Sequence, residues 1–141
     1  MRKIEFRAWL KDKKRMVDVK AIDWDKDGNI FSVNYPKGKS YCGFGVEDIE
    51  LMQYTGLKDA NDVKIFEGDI LKYPDNDDTY CMGVVEFGHF NCSCCHAVFG
   101  FTTVNNEGYE IDMLLANNFK PLYEVVGNIY ENKELLEGEE K

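Results

Sequence analysis

Cysteine, histidine and clustered carboxylate side chains are the groups in this 141-residue chain that could do chemistry. The densest set is Cys92-Ser93-Cys94-Cys95-His96, with His89 just upstream and Cys81 before it. It satisfies C-x-x-C-H, the attachment pattern of c-type haem. That use requires export to a haem-loading compartment and a distal ligand, and neither is signalled. Zinc matches better, because Cys92, Cys95, His96 and His89 or Cys81 offer four ligands of the kind tetrahedral zinc takes. Alternation argues against it. In one regular strand Phe90, Cys92, Cys94, His96 and Val98 share a face, while Asn91, Ser93, Cys95, Ala97 and Phe99 share the other. Cys92 and Cys95 then point apart. Cysteine also behaves as a small hydrophobe and is among the most buried residue types. The expectation is structural cysteines, with no metal and no cofactor.

The carboxylates offer less. Asp75, Asp77 and Asp78 crowd one acidic loop, but the calcium-loop spacing with its distant glutamate is absent. Glu67 and Asp69 flank Gly68 and suggest paired carboxylates. A turn role is more economical, since an aspartate entering a strand accepts nearby backbone N–H bonds. Cys–His adjacency along one strand lacks the orienting third group that nucleophilic catalysis needs. No phosphate-cradling glycine loop or nucleophile-elbow motif occurs. No catalytic residue is assigned, and the chain is read as a non-enzyme.

Whatever positions these groups is one domain, or one with a small appendage, long enough to bury a core. Its 44% hydrophobic and 13% aromatic content belongs to a folded protein. No apolar run approaches the ~18–20 residues that cross a bilayer. Glu5 and Arg7 interrupt any signal-like N-terminal stretch, so a cytoplasmic protein without a disulfide framework is expected. The net charge of −9 is unevenly spread. Residues 1–20 carry +5, residues 21–106 carry −8 and residues 107–141 carry −6. A basic head and acidic remainder can pair within a chain or between chains. The acidic excess disfavours general nucleic-acid binding.

The apolar pattern is that of short strands between tight turns. Ile4, Phe6 and Ala8 alternate with Glu5, Arg7 and Trp9, and Met16–Val19 resumes beyond the polar tip at 11–15, predicting a hairpin. Asp27-Gly28 predicts a second hairpin between Ala21–Trp24 and Ile30–Tyr35. Pro36–Lys39 reads as a loop. Leu51–Tyr54, Val63–Phe66 and Ile70–Tyr73 read as strands separated by a Thr55-Gly56 corner, an Asx turn at 59–62 and a Glu67-Gly68-Asp69 turn. Tyr80–Phe87 and Phe90–Phe101 follow, joined across Gly88-His89. Glu110–Ala116 is the best candidate for a short helix. Leu122–Ile129 is a last strand, and Glu131–Glu137 a helical turn with Asn132 as N-cap. A mainly-β barrel or pseudo-barrel with minor helix results.

Three blocks together are familiar. Ile4-Glu5-Phe6-Arg7-Ala8-Trp9, Leu51–Asp59 continuing to Ile65–Ile70, and Glu124–Asn132 resemble the YopX-like phage protein family in order and spacing. The resemblance implies a phage or prophage protein, mainly β, with an N-terminal β-hairpin region at 1–56 that joins self-assembly and a C-terminal SH3-like (pseudo-)barrel at 57–141. It implies no established activity. Two departures stand out: relatives often have Asn-Gly where this chain has Asn61-Asp62, and proline where it has Lys133.

The functional expectation is a non-enzymatic interaction module that forms a homo-oligomer and binds a host or phage protein. Arg7, Trp9, Tyr54 and Phe66 are its candidate contact surface, because aromatic and arginine side chains anchor interfaces. The alternatives are a small β-barrel that binds nucleic acid or, as an acidic DNA mimic, binds an enzyme of nucleic acids. Zinc at the cysteine cluster is the third.

Overall fold

The computed structural model describes residues 3–74, 80–91, 97–104, 110–113 and 123–137. They form a mainly β protein, divided into two compact units at Met1–Tyr54 and Thr55–Lys141. The expected Cys92–His96 cluster and the Asp75–Asp78 loop lie outside the described residues.

In the first unit, β1 (Phe6–Leu10) and β2 (Arg15–Val19) make the expected hairpin. β1 also pairs antiparallel with β6 (Ile49–Lys58), setting Ala8 opposite Leu51 and Leu10 opposite Ile49. A second sheet has the order β3-β4-β5, from Ala21–Trp24, Ile30–Lys37 and Ser40–Gly45. The two sheets bury Ala8, Leu10 and Ile49 from one side against Val33 and Tyr35 from the other. Burying each large apolar side chain stabilises by roughly 1.5–3 kcal/mol. The loop expected at Pro36–Lys39 is narrower, since β4 runs to Lys37, and β5 is a strand that was not expected. Gly38, at φ 62, closes a two-residue turn in which Lys37 pairs with Ser40.

The second unit opens with the end of β6. Its strands are β7 (Lys64–Phe66), β8 (Asp69–Pro74), β9 (Tyr80–Asn91), β10 (Ala97–Val104), β11 (Glu110–Met113) and β12 (Glu124–Asn128). Five of them form one antiparallel sheet, β11-β10-β9-β8-β12, which curls into a half-barrel. β8 is central, with β9 on one side and the sequence-distant β12 on the other. Both of its faces are buried, as only an interior strand allows. Leu71 joins Ile65 and Val85 on one face, and Ile70 joins Val84 on the other, where Leu135 and Leu136 pack.

Three expectations change here. Gly88-His89 is not a turn: β9 continues to Asn91, with Gly88 opposite Gly100 in the ladder. Glu110–Met113, read as the start of a helix, is a strand paired with β10, because Ile111 and Met113 satisfy period 2 as well as a helical face. The terminal helix α1 is shorter than expected, Glu134–Glu137, and Asn132 does not cap it with its side chain. Its Oδ1 reaches back to accept from the Asn128 N–H at 3.2 Å.

Candidate functional site

The four expected contact residues are not the exposed ones. Arg7 and Trp9 share the face of β1 away from Ala8 and Leu10 and are half-buried. Tyr54 is buried and Phe66 half-buried. Large exposed apolar side chains instead include Trp24, Phe31, Tyr41 and Val46, all around the β3-β4-β5 sheet.

Register explains how Phe31 comes to be exposed. Asp23 pairs with Ser32 but Trp24 with Ile30, so Phe31 is the extra residue of a β-bulge and drops out of the alternation that buries Val33 and Tyr35. Beyond it the outward face is polar. Ser32 Oγ and Asn34 Nδ2 both donate to Asp23 Oδ2, at 2.8 and 3.2 Å. Across the ladder from Ser32 and Asn34 stand Gly45 and Gly43. A Cβ on Gly43 would lie 2.8 Å from Asn34 Oδ1, so this position holds only glycine without displacing that side chain.

The result is an open groove of about 500 Å³ with a glycine floor, apolar walls from Phe31 and Val46, and the carboxylates of Asp25 and Glu47 in its lining. Lys11 Nζ donates to the Glu47 carbonyl oxygen at 3.1 Å and lies 3.5 Å from Glu50. Lys13 sits over the Phe44 ring, 5.4 Å from its centroid. The basic head thus meets the acidic segment within this unit, in part as the charge distribution suggested.

Asp25 is pinned by its own turn. Its Oδ1 accepts from the backbone N–H groups of Asn29 and Asp27, at 2.8 and 2.9 Å. The Asn29 backbone bond is the chief cause that holds its carboxyl below the ordinary range, and slight desolvation opposes it. A depressed folded-state value means the turn stabilises the fold above the unfolded-state pKa and loses that contribution as pH falls through the lower, folded-state value. Carboxyl NMR should find Asp25 titrating below an ordinary aspartate. The Asp25→Ala variant should be destabilised at neutral pH and match wild type in strong acid. A penalty that persists at pH ~2 would assign the effect to packing instead.

The residues that carried the family resemblance form a different constellation, in the second unit. Asp59, 4% exposed, accepts from Asn61 N and Val63 N on Oδ1 and from Val125 N on Oδ2, at 2.8, 2.9 and 2.8 Å. Asp62 in this turn sits at φ 66, a conformation that glycine adopts more readily than aspartate. Asp69 Oδ2 accepts from Phe66 N at 2.8 Å across the Gly68 turn, the local bond expected of it. Asn128 Oδ1 accepts from Tyr130 N and Glu131 N at 3.0 and 2.9 Å. These side chains are spent on backbone donors; they tie turns to strands.

Among the described residues no group of three or more Cys, His, Asp or Glu is placed to hold a metal, and no helix is long and apolar enough to cross a membrane.

The YopX protein family matches residues 5–137. The chain is also similar to the crystal structure of protein EF1440 from Enterococcus faecalis, at 24% identity and a TM-score of 0.65. That similarity covers 96% of this chain and 99% of the other, and it speaks to the fold. No curated protein matches.

Proposed function

Because this chain belongs to the YopX protein family, we propose that it is a non-enzymatic phage or prophage accessory protein, acting in the host cytoplasm by self-association and by binding a host or phage protein. The observation that supports this reading is the apolar, carboxylate-lined groove on the β3-β4-β5 sheet. Exposed apolar anchors such as Phe31 suit a docking surface, where rigid side chains bury area at low entropic cost. The polar residues of the family blocks support it too, since they are committed to turns and leave the surface to recognition. The acidic lining argues against a phosphate backbone as the ligand.

Size-exclusion chromatography with light scattering tests the reading. Wild-type protein should run as a discrete oligomer at low salt and lose mass as salt rises, because exposed charge pairs are screened. A 16.3 kDa particle at every salt concentration would end the self-association reading.

A further inference from the structure

The hairpin that carries the groove also carries its electrostatic complement, at the other end. β4 and β5 meet in the Gly38-Lys39 turn, flanked by Lys37. Lys37 and Lys39 are exposed, and neither side chain has an ion pair or hydrogen bond among the described residues. Tyr41, 69% exposed, stands two residues along the outgoing strand, opposite Pro36. The tip is narrow, with nothing within 4 Å of a Cβ on Gly38. At the base of the same hairpin, Phe31 is 67% exposed and the Glu47 carboxylate has no partner among the described residues. The nearby cations do not neutralise it: Lys11 is spent on the Glu47 carbonyl and Glu50, and Lys13 on the Phe44 ring.

These two ends cannot satisfy each other within one chain. From Phe31 to Lys37 a strand rises roughly 20 Å, far beyond the reach of a lysine side chain. We propose that the Lys37–Lys39 tip of one copy seats in the groove of a second copy, with its lysines facing Glu47 and Asp25 and Tyr41 packing beside Phe31. This rests on the self-association reading and specifies its interface. The Glu47 carboxylate lies over Gly45, its Oε1 3.1 Å from where a Cβ on that glycine would stand, which places it on the outward face of the sheet. Tip and groove are different patches, so the contact is heterologous. Repeated from copy to copy it closes into a ring or runs on as a filament, and it is not a two-fold dimer.

Complementary variants test this directly. The tip variant combines Lys37→Glu with Lys39→Glu; the groove variant is Glu47→Lys. All three positions are exposed, and circular dichroism checks that both proteins fold. Light scattering should find each variant monomeric at concentrations where wild type is assembled, a shift of at least about tenfold in the assembly midpoint. Mixed one to one, they should assemble again, because the tip variant's intact groove takes the groove variant's intact tip and the reversed charges at 37, 39 and 47 are once more opposite in sign. Variants that assemble like wild type would overturn this interface while leaving self-association intact. Monomeric variants that stay monomeric when mixed would overturn the head-to-tail geometry. Wild type that is itself monomeric would overturn both the interface and the reading beneath it.

Discussion

Replacing Asp59 with alanine should cost about 3 kcal/mol of stability, read as a lowered urea midpoint with an unchanged slope. The carboxylate serves three backbone donors, two in its own turn and one 66 residues away on β12. Each partly buried N–H left without an acceptor costs on the order of 1 kcal/mol or more. Asp59→Asn separates the two sides of the group. One amide oxygen can serve the turn or Val125 but not both, and the amide NH2 then faces a donor. About half the alanine penalty is expected. Hydrogen exchange localises the effect: the Val125 amide should lose protection in Asp59→Ala beyond the change in global stability. If that amide keeps its protection, the long-range bond is not what Asp59 contributes.

Gly127→Ala is the second large effect, about 2–3 kcal/mol, and its cause is space rather than conformation. A Cβ there would lie 2.5 Å from Asn132 Oδ1, 2.6 Å from its Cγ and 2.7 Å from its Cβ. Asn132 cannot swing away without releasing the Asn128 N–H that its Oδ1 accepts. A double-mutant cycle isolates the clash. In an Asn132→Gly background the same substitution should be milder by at least about 1 kcal/mol. Equal penalties in both backgrounds would place the strain elsewhere in the turn.

Local turn chemistry was the legible part of this fold. Gly28, Gly56 and Gly68 all sit at positive φ, and the Asp59 and Asp69 carboxylates bond nearby backbone as their sequence neighbourhoods suggest. A glycine's reason for being there was less legible. Gly88 suggested a turn and is a ladder position opposite Gly100, while Gly43 and Gly45 carried no reading and stand opposite Asn34 and Ser32 in the ladder, lining a groove. Short apolar runs were ambiguous for a different reason, since Ile111 and Met113 fit either period and only pairing with β10 decides. Exposure was the hardest property to see. Arg7 and Trp9 have the right chemistry for an interface, but exposure depends on which residue a bulge sets aside. That residue is Phe31, and nothing within its own strand marks it. The bond from Asp59 to Val125 was equally invisible, because sequence distance hides the partner.

Two neighbours of very different age flank β8 during synthesis. Its β9 partner residues leave the ribosome soon after it, while β12 follows some fifty residues behind. At on the order of 5–20 residues per second, the nascent chain spends several seconds with the outer edge of β8 unpaired and its apolar face uncovered. Strands β1 to β5, by contrast, have all their ladder partners within the first 58 residues. The chain is thus made in an order that completes the early sheets first and leaves the later one open longest, and an open apolar edge is where nascent chains stick to one another. Faster translation, which shortens that interval, should raise the soluble yield of this protein, and pausing between residues 91 and 123 should lower it.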